Sequence, residues 1–222
     1  MGERPIIMQA ESVRAILAGT KTQTRRVVKP QPVDVLPPIR VEEFDPVRVD
    51  RSGEEYAGEP IFGAYSACGE WGARCPYGAP SDRLWVKEAW SPCDYDTTFT
   101  PRFRADGVAP FGGKWKSPLF LPRSLSRLTL EVQAVRVERL HEIQEDDARA
   151  EGVTYPACEE FDPVTYRFDA AGRLDRNGTR TLTFGPARCA FERGWDALNA
   201  KRGFPWANNP WVWVVTFKRV GA

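Results

Sequence analysis

The chain has 222 residues, of which 42% are hydrophobic, and its 8 Trp and 12 Phe residues suffice for the core of one domain with insertions. Because 31 Lys and Arg residues almost balance 30 Asp and Glu residues, the composition disfavours a general polyelectrolyte binder of nucleic acid and allows only a local basic patch. The sequence has no apolar run of about 18 residues and no signal-peptide core, so we expect a soluble, cytoplasmic protein without membrane contact.

The first third of the chain predicts a strand, a short helix and a long insertion. Residues 4–8 are typical of a strand, and residues 11–18 are typical of a helix that ends at Gly19. Residues 30–80 are irregular and rich in Pro and Gly, which indicates an insertion with a hairpin near residues 40–65.

The middle of the chain predicts two strands and a second short helix. Residues 82–90 favour a strand. In residues 126–140 the apolar positions alternate but change parity near Gln133–Val135, which predicts a long strand interrupted by a bulge. Residues 145–151 predict a short helix with an acidic first turn.

The last third predicts a second insertion, a helix and a buried strand. Residues 154–186 are polar and rich in turn formers, whereas residues 188–200 have helical periodicity. Residues 211–217 are apolar on both faces, which is typical of a central strand. Together the elements predict a mainly β (α+β) fold: a single domain over residues 1–222, built as a small antiparallel barrel with helices at its ends.

Several familiar reaction classes lack their residues in this sequence. His141 is the only histidine, so a Ser-His-Asp relay would depend on it, and an exposed polar residue is the simpler interpretation. No glycine motif for dinucleotides or P-loop chemistry is present. Cys68 and Cys75 belong to no CxxC motif and are most simply ordinary thiols, although a zinc site with two distant ligands stays open. We expect no metal and no cofactor, which leaves lysine, hydroxyl and carboxylate chemistry.

Residues 19–26 (Gly-Thr-Lys-Thr-Gln-Thr-Arg-Arg) concentrate such groups just beyond a predicted helix end. Lys21 and Thr24 are three residues apart, so their side chains can lie on one side of a turn. A threonine hydroxyl becomes a nucleophile when a base removes its proton, and a lysine can be that base if burial or the neighbouring arginines lower its pKa. Three interpretations stay open: exposed residues after a helix, a phosphate-binding patch, and a catalytic pair.

Residues 17–26 resemble the opening motif of the ASCH superfamily, whose members adopt a PUA-like β-barrel and are associated with RNA and modified nucleosides. The resemblance therefore implies that the predicted barrel is of the PUA-like type. Further stretches resemble a phage and prophage branch of the same superfamily: residues 75–78, 82–86 with Glu88, 122–123, 195–199 and 209–213.

The resemblance also implies an activity. One small bacterial member of the superfamily is an amidohydrolase that removes the acetyl group of N4-acetylcytidine with a Lys and a Thr of a Lys-Thr-x-Thr motif and a downstream Glu. Residues 21–24 match this motif, which implies Lys21 and Thr24 as catalytic residues, and Glu151 matches the downstream glutamate by its position. We therefore expect an amidohydrolase for an N4-acylated cytosine nucleoside or a related modified base.

Four further residues are candidates for binding such a substrate. Arg25 and Arg26 can hold a phosphate or a ribose, Trp85 can stack on a base, and Arg123 can face the pocket. Because the two insertions can reshape the pocket, two other functions stay open. One is a non-catalytic module that binds RNA, single-stranded DNA or a modified base, and the other is a ribonuclease.

Overall fold

Strands predominate over helices in the computed structural model, which describes residues 2–32, 38–92, 100–153 and 185–220 and the backbone of residues 164–168 and 180–184. The strands are β1 (Glu3–Ile7), β2 (Gln23–Val27), β3 (Ile39–Phe44), β4 (Val47–Val49), β5 (Glu55–Ala57), β6 (Ile61–Ser66), β7 (Gly72–Arg74), β8 (Arg83–Lys87), β9 (Trp90–Ser91), β10 (Arg102–Phe103), β11 (Thr129–Arg139), β12 (Val164–Phe168), β13 (Arg180–Phe184) and β14 (Trp211–Val220). The α-helices are α1 (Ala10–Leu17), α2 (Glu145–Ala150) and α3 (Pro186–Asn199). Short 3₁₀ turns occupy Arg104–Asp106, Phe111–Gly113, Pro118–Phe120, Arg123–Leu125, Leu140–Glu142, Ala200–Arg202 and Trp206–Asn208.

A five-stranded sheet in the order β1-β8-β11-β14-β2 forms the centre of the fold. β1 pairs with β8 in parallel, and the other neighbours are antiparallel. β14 lies between β11 and β2, and its residues 212–215 and 217 are buried, as its two apolar faces predict. In the described residues the sheet is an open ladder with β1 and β2 at its edges, and no strand pairing closes it into a barrel. The mixed, mainly β class is therefore confirmed, whereas the PUA-like barrel stays a prediction.

The predicted bulge is present in β11, where the register against β14 shifts between Val132 and Ala134. A bulge changes the face that the following side chains take. Beyond it, Arg136 and Glu138 point to the side of the sheet that carries α2, where Arg136 forms an ion pair with Asp147. The parity change in the sequence thus places charged residues of a long strand beside the helix that follows it.

The two faces of the sheet carry separate hydrophobic clusters. On one face α1 packs with Val13 and Ile16 against Trp213 and Val215 of β14. On the other face α2 and α3 pack around Val212 and Val214 of the same strand. Because successive side chains of a strand point to opposite faces, β14 supplies both clusters.

In the first predicted insertion, the described residues 38–80 contain more than the single predicted hairpin, and part of them packs on the first cluster. β3, β6 and β7 make a three-stranded sheet, and β4 pairs with β5 in a separate hairpin. Trp71, Ala73 and Cys75 are buried in the same cluster as α1. In the second predicted insertion, the described residues are the hairpin of β12 and β13 and residues 185–186 at the start of α3, and the rest of it falls outside them. Across the portion of the chain given above, no helix is long and apolar enough to cross a membrane.

Candidate functional site

A cleft of about 910 Å³ follows the edge strand β2. Four consecutive residues of β2, Thr24 to Val27, line it, which shows that the cleft reaches both faces of this edge. Residues of α1 and of the segment 74–77 form one wall, and residues of α3 form the other. The free edge of the sheet therefore lies along the floor of a cleft between the two packed faces.

Lys21 and Glu151 meet in this cleft although they are 130 positions apart. Lys21 Nζ donates to Glu151 Oε2 at 2.8 Å and to the Glu151 carbonyl oxygen at 2.7 Å. The exposed fraction is 5% for Lys21 and 8% for Glu151, so the ion pair is almost completely removed from water. The backbones of the two residues also form an isolated β-bridge, which fixes their separation.

Gly152 allows this close approach. It follows the C-cap of α2 and has a φ of 71°, a left-handed conformation that favours glycine. A Cβ atom at this position would lie 2.7 Å from Lys21 Cβ and 2.6 Å from Ala15 Cβ. The glycine therefore ends α2 and lets Glu151 pack against the turn that carries Lys21.

Arg25 connects Glu151 to two further carboxylates. Its Nη1 lies 3.2 Å from Glu151 Oε1, its Nε donates to Glu138 Oε1 at 3.0 Å, and its Nη2 lies 3.2 Å from Asp147 Oδ2. The side chain of Arg25 is completely buried. Each nitrogen of the guanidinium already faces a carboxylate, and one of these contacts holds the Glu151 carboxylate. The role of Arg25 as a substrate ligand stays a prediction.

Thr24 lies on β2 opposite Val215 of β14 and lines the same cleft as Lys21. The residue is 4% exposed, and its hydroxyl hydrogen-bonds no other residue in the part of the chain that the structure covers. Lys21 and Thr24 are therefore not joined by a hydrogen bond in the ligand-free protein. The hydroxyl is left available for a group that enters the cleft.

The burial of Lys21 lowers its pKa below the ordinary lysine value. The charge of Glu151 and its hydrogen bond oppose this change, while the positive charges of Arg26 and Arg25 add to it. A neutral amine can keep both hydrogen bonds to Glu151 and still present a lone pair, because it retains two N–H groups. The geometry thus permits Lys21 to act as a base without losing its contacts.

Arg26 lies two residues beyond Thr24 and therefore on the same face of β2. Its Nη2 donates to the carbonyl oxygen of Ile7 at 2.7 Å and lies 3.3 Å from Met8 Sδ. This anchor holds the guanidinium at the cleft, where Arg26 is one of the lining residues. Its predicted role in binding substrate is compatible with this position.

Trp85 and Arg123 do not line the cleft. Arg123 forms a bidentate ion pair with Glu3, at 2.9 Å and 2.7 Å, on the exposed side of β1 and β8, and its guanidinium lies 6.0 Å from the centre of the Trp85 ring. The structure therefore does not bring these two predicted substrate-binding residues to Lys21 and Thr24. The cleft has other aromatic side chains instead: Tyr77, Phe191, Trp195, Phe204 and Trp213.

The cysteines offer a buried and an exposed thiol. Cys75 is packed in the first hydrophobic cluster, and burial raises its pKa to about 11. Cys68 is exposed and lies 3.3 Å from the hydroxyl of Ser66. Within the ranges that the structure describes, no three His, Cys, Asp or Glu side chains lie together in a way that could hold a metal ion.

Compared with known proteins, the chain matches no protein-family model, no curated protein and no solved structure. The likeness to the ASCH superfamily therefore stays a prediction from the motif residues. The support for the candidate site comes from the geometry of the cleft.

Proposed function

We propose that the cleft is the active site of an amidohydrolase that removes the acyl group from an N4-acylated cytosine nucleoside or a related modified base. The observation that supports it most is the buried pair of Lys21 and Glu151 in the cleft that also holds the hydroxyl of Thr24. These are the three residues that the likeness to the ASCH superfamily implies. A PUA-like fold, with the open sheet as part of a barrel, belongs to the same proposal.

Thr24 is the nucleophile in this proposal, and Lys21 is its base. Neutral Lys21 takes the hydroxyl proton while Thr24 Oγ1 bonds to the acyl carbon and the carbonyl electrons move to oxygen. The resulting ammonium gives its proton to N4 of the cytosine as the C–N bond breaks, which leaves an acyl ester on Thr24. Water, deprotonated in turn by Lys21, hydrolyses the ester and restores the free hydroxyl.

Glu151 orients the amine of Lys21 and stabilises the ammonium that forms after the first proton transfer. Its two contacts with Nζ hold the lysine in one orientation, so that a single position on the nitrogen faces away from Glu151. Arg25 keeps the carboxylate in place through Oε1. The roles of the two residues are positioning and charge stabilisation.

The aromatic side chains of the cleft supply the surface for a flat base. Phe191 and Trp195 of α3 lie on one wall, and Tyr77 lies among the residues of the opposite wall. Single bases are commonly held by stacking on such rings. A pyrimidine between these walls would have its exocyclic group close to β2.

The direct test is the release of cytidine from N4-acetylcytidine by the purified protein. We expect turnover by wild type, and loss of at least about a hundredfold in kcat for Lys21→Met and Thr24→Val, since each removes one reacting group. Thr22→Val is a matched control, because Thr22 is an exposed threonine of the same turn. Equal rates for wild type, Lys21→Met and Thr24→Val would overturn the proposal for this substrate.

A binding module without turnover is the second candidate function. It is favoured by the charge of the cleft, which is lined by more cations than carboxylates. Wild-type protein that binds cytidine derivatives in this cleft but releases no acyl group from any N4-acylated cytosine would support the binding function over the hydrolase.

A further inference from the structure

The cleft is strongly positive in a chain whose formal net charge is only +1. Six cationic side chains line it, and only two carboxylates, Glu11 and Glu151, do so. The cations are Lys21, Arg25, Arg26, Lys29, Arg74 and Arg202. Such a concentration in one concave site focuses the electrostatic potential there and attracts an anion.

The inner cations of the cleft are already neutralised. Lys21 and Arg25 are buried and form ion pairs with Glu151, and Arg25 also faces Glu138 and Asp147. Because burying an unpaired charge is costly, these two buried cations need the carboxylates as partners. Lys21 and Arg25 therefore contribute little to the electrostatic attraction of an incoming ligand.

The outer cations have no such partners. Arg26, Lys29, Arg74 and Arg202 form no ion pair with any carboxylate in the described ranges, and Glu11 is engaged by Arg14. We call these four side chains the cationic rim. They come from β2, from the turn after it, from β7 and from the 3₁₀ turn after α3, so the tertiary fold assembles them around one opening.

Two members of the cationic rim are arranged for a ligand that combines a ring with an anion. Arg26 is anchored through Nη2, whereas its Nη1 makes no hydrogen bond to another described residue. Lys29 Nζ lies 5.2 Å from the centre of the Phe204 ring, and both residues line the cleft. An aromatic ring, an ammonium group and a guanidinium group thus line the same opening.

We propose that the cationic rim binds a phosphate group, so that the ligand of the cleft is a phosphorylated nucleotide rather than an uncharged nucleoside. This inference rests on the proposed function for the identity of the base, but not for the phosphate. An uncharged nucleoside would leave these four cations, of which Lys29, Arg74 and Arg202 are exposed, without an anionic partner, whereas a phosphate can accept hydrogen bonds from more than one of them. The volume of the cleft, about 910 Å³, also lies near the upper end of the range of roughly 300–1,000 Å³ for small-molecule sites.

A phosphate in this position has two sources, a free mononucleotide or a nucleotide within a single strand. Both present the same oxygen atoms to the rim. They differ in how the affinity depends on salt, because a strand releases more counterions when it binds. The experiment therefore includes a mononucleotide and a single strand.

The test compares the binding of cytidine, cytidine 5′-monophosphate and a short oligocytidylate to the 222-residue protein by calorimetry over a salt series. We expect cytidine 5′-monophosphate to bind at least about tenfold more tightly than cytidine, and this ratio to fall toward one in Lys29→Gln/Arg74→Gln/Arg202→Gln, which removes the three exposed cations of the rim. Arg219→Gln is the matched control, because Arg219 is exposed on β14 and does not line the cleft. Its ratio should equal that of wild type.

Each outcome bears on the inference separately from the hydrolase proposal. Tight phosphate-dependent binding without any deacylation would support the cationic rim and remove only the hydrolase. Equal affinities for cytidine and both phosphorylated ligands would overturn the rim even if N4-acetylcytidine is hydrolysed. A mononucleotide that binds as tightly as the strand identifies the free nucleotide as the source, whereas tighter binding of the strand with a steeper salt dependence identifies single-stranded nucleic acid.

Discussion

Replacement of Glu151 by Gln tests whether the ion pair in the cleft is as dry as the structure shows. Removal of one partner of a buried pair costs about 3–5 kcal/mol, because the other charge is left in a poor solvent. Here the glutamine keeps one side-chain oxygen, the carbonyl oxygen at residue 151 still accepts from Lys21, and Arg25 keeps Glu138 and Asp147. We therefore expect the lower end of that range, about 3 kcal/mol of unfolding free energy.

Lys21→Met completes a double-mutant cycle with Glu151→Gln. In this variant Glu151 still faces Arg25 at 3.2 Å, so the remaining charge is compensated and the cost should be smaller, about 2 kcal/mol. The double variant should be more stable than the sum of the single effects predicts, by at least about 1 kcal/mol, because neither substitution then strands a charge. Urea unfolding with an unchanged m-value measures all three differences.

Arg123→Gln is the control for this cycle. Arg123 and Glu3 have exposed fractions of 43% and 39%, so their pair is screened by water and its loss should cost less than about 1 kcal/mol. If Glu151→Gln costs no more than this control, water reaches the pair in the cleft. Burial could then not lower the pKa of Lys21.

Because burial lowers the pKa of Lys21, the pH dependence of kcat/KM for deacylation should rise with pH and reach its midpoint below 10.5, and a midpoint at or above that value would contradict a neutral lysine base. Gly152→Ala should destabilise the protein by about 2 kcal/mol or more, because the residue has a φ of 71° and the new Cβ would contact Lys21. Gly107 has a φ of 74° but no neighbour within 4 Å, so Gly107→Ala should cost only the backbone strain. Thermal unfolding measures the difference. Burial lowers the pKa of His141, although its hydrogen bond to the carbonyl oxygen of Trp206 opposes this shift. The stability that neutral His141 contributes is therefore fully present above the unfolded pKa of about 6.5 and is lost as the pH falls through the lower folded pKa. His141→Gln should flatten the pH dependence of the unfolding free energy in that window.

The sequence predicts most elements of the sheet because their signals are local. The parity change in residues 126–140 gives the bulge in β11, and the apolar run at 211–217 gives the buried strand β14. Gly19 has a left-handed φ of 75° and directly follows the C-cap of α1, as its position in the sequence predicts. The strand order and the folded sheet of residues 39–74 depend on long-range pairing, which no local pattern encodes.

For the site, the sequence gives the residue types but not which charges are neutralised. Lys21 and Thr24 are close in sequence, so their common location follows from local structure, whereas Glu151 is implied only by the resemblance to the ASCH superfamily. Arg25 and Arg26 are neighbours with the same side chain, yet alternation along β2 sends them to opposite faces. Only the tertiary structure shows that Arg25 meets three carboxylates there.

The cations of the cleft fall into a buried group, Lys21 and Arg25, and an exposed group that includes Arg74 and Arg202. A charge removed from water needs a partner, so the inner lysine and guanidinium are fixed by Glu151, Glu138 and Asp147, and any change to them alters stability and chemistry together. Arg74 and Arg202 are exposed, and an exposed cation costs little without a partner, so they can stay free to meet a ligand. Substitutions at Lys21 and Arg25 should therefore lower the unfolding free energy and the turnover in parallel. Substitutions at Arg74 and Arg202 should instead change the affinity and its salt dependence while the protein stays as stable as wild type.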